Sequence, residues 1–275
     1  MSHRVRTLRL VVAYDGADFA GWQRQAGQRT VQGELEAVLA AIEGTPVHVA
    51  GAGRTDAGVH AAAQVASVRL TAAIAPERLV RAFNAVLPAD VRVLAAEETF
   101  DRFHARLHAR GKTYRYFVWH APMDLPMLRR TAWHVPQRLS IAAMSEAAAT
   151  FVGEHDFAAF QGRGSAVRST VRRVTAASVD AAAALPGWCA AGDDRGRLVC
   201  IEVAGDGFLR HMVRAMAGTL VQVGRGRMRH DAVVRALASG RRAAAGPTAP
   251  AHGLHLWRVH YAAPVGESDG PRNVL

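Results

Sequence analysis

Apolar periodicity divides the chain into two halves in which strands and helices follow one another in the same order. In the first half, one helix is capped by Thr30 and closed by Gly44, and a second helix is predicted over Pro76–Val86. Around them the pattern predicts four strands: Leu8–Tyr14, Val47–Ala52, Gln64–Leu70 and Val91–Glu97. The order β-α-β-β-α-β is that of a ferredoxin-like unit.

The second half repeats this order without a repeat at the level of residues. The predicted strands are Thr113–Trp119, Val171–Val179, Leu198–Gly205 and Leu254–Tyr261, and the predicted helices are Ile141–Phe151, Leu209–Val223 and a short one near Asp231–Leu237. We therefore expect an α+β fold of two ferredoxin-like halves, with mainly antiparallel sheets joined around a central RNA-binding cleft. The expected boundaries are 1–105 for the first half, 106–263 for the second, and 264–275 for a flexible tail.

The charge balance indicates the class of partner. The chain has 34 basic and 23 acidic residues, for a formal net charge of +11, and Lys112 is its only lysine. Arginine is permanently charged and its planar fork matches phosphate oxygens. Nucleic acid or another polyanion is therefore the leading partner class.

Other classes of protein are disfavoured by composition. The two cysteines, Cys189 and Cys200, are too few for a disulfide framework and lack the spacing of metal ligands. No apolar run approaches the roughly 20 residues that a membrane span needs. The segment Met1–Arg9 has no cleavable signal pattern, so we expect a cytoplasmic protein with no membrane partner.

The stretch Gly51–His60 is the most informative motif. It lacks the Gly-Lys-Ser/Thr of a phosphate loop, and Asp56 stands where a dinucleotide fingerprint needs Gly or Ala. Its small residues could let a large flat ligand approach the Asp56 carboxylate, with Arg54 two residues away. On spacing alone, a structural aspartate in a Gly/Asp turn is the simpler interpretation.

Two further patterns resemble cofactor sites but are incomplete. His104 and His108 stand four residues apart, as zinc ligands on a helix do, but no third ligand accompanies them. Gly205-Asp206-Gly207 precedes a predicted helix like a dinucleotide turn, but Arg210 occupies the third glycine position. We therefore expect no metal and no cofactor.

Five blocks in chain order resemble the TruA family of tRNA pseudouridine synthases. The central block is Gly53–Ala61, which reads GRTDAGVHA and is similar to the active-site loop of that family. The others are Tyr14-Asp15-Gly16 to Glu34, Phe103–Arg106 with Lys112–Tyr116, Gly207-Phe208-Leu209 with Met212–Arg214 and Gly218, and Thr248-Ala249-Pro250 with Gly253-Leu254. Because the blocks run from Tyr14 to Leu254, the resemblance covers nearly the whole chain.

The resemblance implies a role for each matching residue. Asp56 would be the catalytic carboxylate, and Arg214 would be the cation that keeps it ionised. Removing Arg214 would leave a buried charge unpaired and cost roughly 3–5 kcal/mol. Tyr114 would stack on the uracil and could act as an acid or a base. Leu254 would form an apolar wall, and Arg54 would anchor the RNA and help to extrude the target nucleotide. An ordinary core leucine is an almost equally good interpretation of Leu254.

The resemblance also implies a substrate and an assembly. The substrate would be the anticodon stem-loop of tRNA, at positions 38, 39 and 40, and the enzyme would be a homodimer that needs no small-molecule cofactor. Further RNA contacts are predicted among the clustered arginines, although each alone could be a solvated surface charge: Arg106, Arg110, Arg168, Arg172 and Arg210. The alternatives are a catalytically silent RNA-binding module on the same fold and a metal- or nucleotide-dependent enzyme.

Overall fold

Ten strands and five α-helices are defined in the part of the chain that this computed structural model describes, residues 4–162, 164, 167–182 and 196–262. The strands are β1 (Arg6–Tyr14), β2 (Ala50–Gly51), β3 (His60–Leu70), β4 (Val91–Thr99), β5 (Ala109–His120), β6 (Trp133–Val135), β7 (Gly153–Asp156), β8 (Val171–Ala182), β9 (Arg197–Gly205) and β10 (Leu254–Tyr261). The helices are α1 (Val31–Glu43), α2 (Pro76–Val86), α3 (Ile141–Ala149), α4 (Met212–Gly224) and α5 (Ala232–Ser239).

The strands form one sheet in the order β4-β1-β3-β10-β5-β9-β8-β7, with β2 beside β3 and β6 beside β5. Neighbouring strands are antiparallel except in the pairs β10–β3 and β5–β6. The predicted α+β class and mainly antiparallel pairing are confirmed. The two halves do not have separate sheets, however, because β10 pairs with β3 and makes the sheet continuous.

Local capping signals predicted the first-half helices well. Thr30 caps α1 by accepting a hydrogen bond from the Gly33 N–H at 3.3 Å, and Gly44 ends the helix in the left-handed conformation with φ 72°. Helix α2 covers the predicted range, with its proline in the first turn. Both helices are therefore set by residues inside or next to them.

Other boundaries differ from the prediction. Helix α4 begins at Met212 rather than Leu209, because His211 has φ 61° and cannot belong to a right-handed helix. The predicted strand Val47–Ala52 is reduced to β2, and β3 begins four residues early, at His60. Strands β6 and β7 have three and four residues, too short to produce a periodic signal.

Two of the predictions fall outside the residues that the structure describes: the flexible tail 264–275 and Cys189. Within the described ranges, none of the helices has the length and apolar character that crossing a membrane would require.

The strand pairing that joins the two halves is short and consists of two residue pairs of β10 and β3, His255 with His60 and Leu256 with Ala61. The two imidazoles stack with ring centroids 4.6 Å apart, and His60 is only 3% exposed. His255 Nε2 lies 3.0 Å from the Thr131 carbonyl oxygen. Burial lowers the pKa of His255 to about 4, so the His255 ring that contacts the Thr131 carbonyl oxygen is uncharged at pH 7.

This burial predicts a loss of stability in acid. His255 titrates near pKa 4 in the folded chain against 6.5 when unfolded, so the unfolded chain binds more protons between these values. We expect His255 to account for a fall of about 2 kcal/mol in the free energy of unfolding from pH 7 to pH 5, measured by urea denaturation. In His255→Gln, which keeps a donor toward Thr131, this fall is reduced.

The matched control is His230→Gln, which removes an exposed histidine and should keep the wild-type pH dependence. An identical pH dependence in His255→Gln and wild type would contradict the prediction.

Candidate active site

Asp56 lies on the loop between β2 and β3, and this loop is bonded to the segment that follows β1. The Thr55 carbonyl accepts a hydrogen bond from the Trp22 N–H at 3.0 Å. The Thr55 hydroxyl lies 2.8 Å from the Tyr14 hydroxyl, in a buried contact. The residue preceding the carboxylate is therefore fixed through both its backbone and its side chain.

Two glycines allow this close approach. A Cβ atom at Gly16 would lie 1.9 Å from the Val59 carbonyl oxygen, and one at Gly21 would lie 2.6 Å from the Thr55 carbonyl oxygen. Gly21 also has φ +100°, a conformation that L-residues rarely adopt. Any side chain at either position would push the Asp56 loop away from the segment that follows β1.

The second half brings two basic groups to the Asp56 carboxylate. His211 Nε2 lies 3.3 Å from Asp56 Oδ2, and Arg214 Nη1 lies 3.8 Å from the same oxygen. The Asp56 side chain is 35% exposed. The carboxylate is therefore partly accessible and faces two basic groups at one of its oxygens.

Arg214 is also held by two hydrogen bonds with the backbone of Ala249. Its Nε donates to the Ala249 carbonyl at 2.8 Å, and the Ala249 N–H donates to the Arg214 carbonyl at 3.0 Å. Burial lowers the pKa of Arg214, and the negative charge of Asp56 opposes that shift. A guanidinium remains charged throughout the physiological range, so it supplies a permanent positive charge beside Asp56.

Tyr114, on β5, lies close to this pair. It is 8% exposed, and its ring meets Phe208 edge to face, with centroids 5.1 Å apart. Burial raises the pKa of its hydroxyl, and the neighbouring Tyr14 and Asp56 raise it further. Tyr114 is therefore a protonated phenol at neutral pH, able to donate a proton but not a ready base.

Leu254 is the first residue of β10 and is 6% exposed. It pairs with Tyr116 across the strands, and Leu256, two residues on, pairs with Tyr114. Leu254 thus belongs to the strand that covers the tyrosine, and its burial suits both the apolar wall and the core residue expected from the sequence.

The arginines predicted to contact RNA are mostly exposed. Arg172 is half-buried, and its Nη1 donates to the Ser169 carbonyl at 3.0 Å. Arg54 forms no hydrogen bond or ion pair with any residue that the structure describes, so its guanidinium is open to a ligand beside Asp56. The exposed set is Arg54, Arg106, Arg110, Arg168 and Arg210.

His211 is the residue that sequence reasoning missed, although it is nearer to Asp56 than Arg214 is. The predicted helix Leu209–Val223 would have put His211 and Arg214, three residues apart, on one face. In the structure His211 precedes α4, and its left-handed backbone rather than helical spacing places it beside Asp56. Burial lowers the pKa of His211 despite the adjacent Asp56. The ring is therefore neutral at pH 7.

The histidine pair resembling zinc ligands has a structural role. The Nδ1 of His108 accepts from the His104 N–H at 2.9 Å, and the Nδ1 of His104 accepts from the Arg106 N–H at 3.1 Å. Within the described ranges, no group of three or more His, Cys, Asp or Glu residues is placed to hold a metal ion.

Comparison with known proteins links this arrangement to a family. A family model described as tRNA pseudouridine synthase matches residues 10–106 and 147–262, ranges that include Asp56, His211, Arg214 and Leu254 but not Tyr114. A tRNA pseudouridine synthase A of Solidesulfovibrio magneticus is 49% identical, with 94% of this chain and 92% of the relative aligned. The enzymes of that name from Moorella thermoacetica (45% identical; 92% of this chain, 99% of the relative) and Acetivibrio thermocellus (38%; 94% and 100%) are also similar.

The 3.8 Å contact between Asp56 and Arg214 predicts a modest energetic coupling. Because Asp56 is 35% exposed, water compensates part of its charge when the arginine is removed. In a double-mutant cycle of Asp56→Asn and Arg214→Gln, followed by urea denaturation, we expect a coupling of about 1 kcal/mol rather than the larger value of a buried pair. Strict additivity of the two single substitutions would contradict this account.

Proposed function

The chain belongs to the tRNA pseudouridine synthase family, and from that membership we propose that it isomerises uridine at positions 38, 39 and 40 of the anticodon stem-loop. As a family member it is an isomerase that forms pseudouridine in tRNA. The proposal adds the site of modification and Asp56 as the catalytic residue. One observation supports it most strongly: the Asp56 carboxylate is partly exposed, and His211 and Arg214 both contact its Oδ2.

The reaction breaks the bond between C1′ and N1 of uridine, turns the uracil and joins C1′ to C5. The C5 proton leaves and N1 gains a proton, so there is no net change in charge or oxidation state. A carboxylate can serve this sequence by adding to the sugar, by adding to the base or by removing the C2′ proton. Each role requires Asp56 as a carboxylate, and Arg214 supplies a permanent positive charge 3.8 Å from its Oδ2.

The groups around Asp56 suit a nucleotide turned out of its stack. The ring of Tyr114 offers a surface on which a uracil can stack, and its protonated hydroxyl can donate to the base. Leu254 adds apolar surface next to it on the neighbouring strand. Arg54, exposed on the loop two residues before Asp56, can bind the backbone phosphate of the displaced nucleotide and offset part of the few kcal/mol that unstacking costs.

The same proposal covers the organisation of the chain. The strand orders β4-β1-β3-β2 and β10-β5-β9-β8 both match the order expected for a ferredoxin-like unit, and this supports two such halves at 1–105 and 106–263. The exposed arginines suit an RNA cleft between them. As the resemblance implies, we propose a homodimer that acts on tRNA in the cytoplasm and needs no cofactor.

The catalytic role of Asp56 predicts that Asp56→Asn forms no pseudouridine in unmodified tRNA. The substitution removes the charge but almost no volume, so tRNA affinity should stay within about tenfold of wild type. Mapping of pseudouridine in tRNA after incubation with each protein measures the first effect, and filter binding measures the second.

The matched control is Asp18→Asn, which changes an exposed aspartate paired with Arg130 instead. A fully active Asp56→Asn would contradict the proposal, and a wild-type protein that binds tRNA tightly without forming product would favour the silent RNA-binding module. Product at other positions would retain the chemistry and overturn the substrate.

The net charge of +11 predicts that tRNA binding weakens steeply with salt, because each phosphate contact releases counterions. A plot of log affinity against log salt concentration should be linear. Arg54→Gln should make its slope shallower by about one, the contribution of one phosphate contact. The control Arg78→Gln, at an exposed position on α2, should leave the slope unchanged. A flat plot would show that the arginines do not contact the backbone.

A further inference from the structure

His211 stands at the centre of the site, yet none of the roles assigned above uses it. Within the described ranges it is the one residue other than glycine with a positive φ, at 61°. This conformation is unfavourable for an L-residue and persists only where surrounding contacts require it. A strained backbone next to a reacting group indicates that the direction of the side chain matters.

The contacts that require this conformation are visible on both sides of the ring. On one side, Nε2 faces Asp56 Oδ2 at 3.3 Å. On the other, the ring packs so closely on Gly162 that a Cβ atom there would lie 2.6 Å from Nδ1 of His211. Gly162 is itself anchored, since its N–H donates to the Arg210 carbonyl at 2.8 Å. The imidazole is thus held between a backbone surface and the carboxylate.

The charges around the ring favour its neutral form. Asp56 attracts a proton to it, but Arg214 on α4, Arg210 just before α4 and Arg242 in a 3₁₀ turn all oppose one. His211 is also the residue at the amino end of α4, where the helix dipole disfavours a positive charge. Burial is the largest cause that lowers its pKa below 6.5. A neutral ring can orient the carboxylate without neutralising it.

We propose that His211 is a positioning residue for Asp56: its imidazole, held against Gly162, directs Nε2 at Oδ2 of the carboxylate and leaves Oδ1 for the reaction. This inference rests on the proposed function of Asp56. The shortest contacts of both basic groups go to Oδ2, and among the described residues no hydrogen bond goes to Oδ1. At 3.3 Å the contact is a close approach rather than an aligned hydrogen bond, and catalytic hydrogen bonds that are long or poorly aligned without substrate commonly tighten when it binds.

The test uses three substitutions in the full-length protein. His211→Ala removes the contact, His211→Gln places an amide N–H near the position of Nε2, and Gly162→Ala displaces the ring but leaves it intact. Misorientation of a reacting group by about 1 Å can cost 100-fold in rate. We therefore expect His211→Ala and Gly162→Ala to lower the single-turnover rate of pseudouridine formation at saturating enzyme by about 10- to 100-fold. The Kd for tRNA should change less than threefold, and His211→Gln should recover most of the rate.

The pH profile separates positioning from a general loss of structure. If the imidazole takes up a proton, it pairs fully with Asp56 and weakens the carboxylate as a nucleophile or base. The wild-type rate should therefore fall as the pH drops through the lowered pKa of His211, whereas in His211→Gln this fall should move to more acidic pH. His155→Ala, on the edge strand β7, should behave as wild type in both assays.

The possible results are distinct. Wild-type rates in His211→Ala, or equal losses of rate and tRNA affinity with no recovery in His211→Gln, would overturn the positioning role. An unchanged pH profile in an active His211→Gln would overturn it as well. Wild type and Asp56→Asn run in parallel: if wild type forms no pseudouridine, or Asp56→Asn forms it normally, the proposed function itself has failed rather than the role of His211.

Discussion

The pairing of β10 with β3 is the constraint on which the site depends. It spans only two residue pairs, but it joins the halves at the point where the Asp56 loop enters β3 and where Leu254 begins β10. Asp56 belongs to the first half, whereas Tyr114, His211 and Arg214 belong to the second. Both basic groups that contact the carboxylate come from the second half, so this parallel pairing helps to bring the carboxylate and its basic partners together.

Close backbone packing makes the position of the carboxylate precise. The loop rests on Gly16 and Gly21, where a side chain would collide with carbonyl oxygens of the loop. The helix that carries Arg214 makes a similar close approach to the backbone of Pro247. A Cβ atom at Gly218 of α4 would lie 1.8 Å from the Pro247 carbonyl oxygen. Backbone against backbone leaves less freedom than side-chain packing. The distance between Asp56 and its partners is therefore set by the frame of the fold rather than by flexible side chains.

Local signals in the sequence predicted the elements whose ends are determined locally. Thr30 and Gly44 bound α1, and Pro76 begins α2, as expected. The start of α4 could not be predicted in the same way, because the left-handed backbone of His211 reflects contacts with Gly162 and Asp56, which are distant in sequence. Likewise the first residues of β3 after His60 are Ala61-Ala62-Ala63, which have little intrinsic preference for a strand and take that form through pairing with β1 and β10.

The candidate site was predictable to a similar extent. Resemblance identified Asp56, Tyr114 and Arg214 as members of one site, and the structure brings them together. The resemblance did not supply the coupling energy between Asp56 and Arg214, which depends on exposure and distance. It also did not supply the role of the exposed arginines. Composition indicated a polyanionic partner because net charge sums over the whole surface, whereas the use of any single arginine depends on its neighbours. Arg172, bonded to a carbonyl of its own turn, illustrates the difference.

The two basic groups at Asp56 suit different requirements of one carboxylate. A reacting carboxylate must be charged, which favours a strong cation nearby, but a bidentate pair with arginine would occupy both of its oxygens. Arg214 avoids this because the Ala249 carbonyl holds its Nε, and a single nitrogen approaches Oδ2 at 3.8 Å. At that distance the guanidinium supplies a permanent positive charge, but it directs the carboxylate only weakly. Direction then has to come from a nearer group without a full charge, and the neutral imidazole of His211, at 3.3 Å from the same oxygen, meets that requirement.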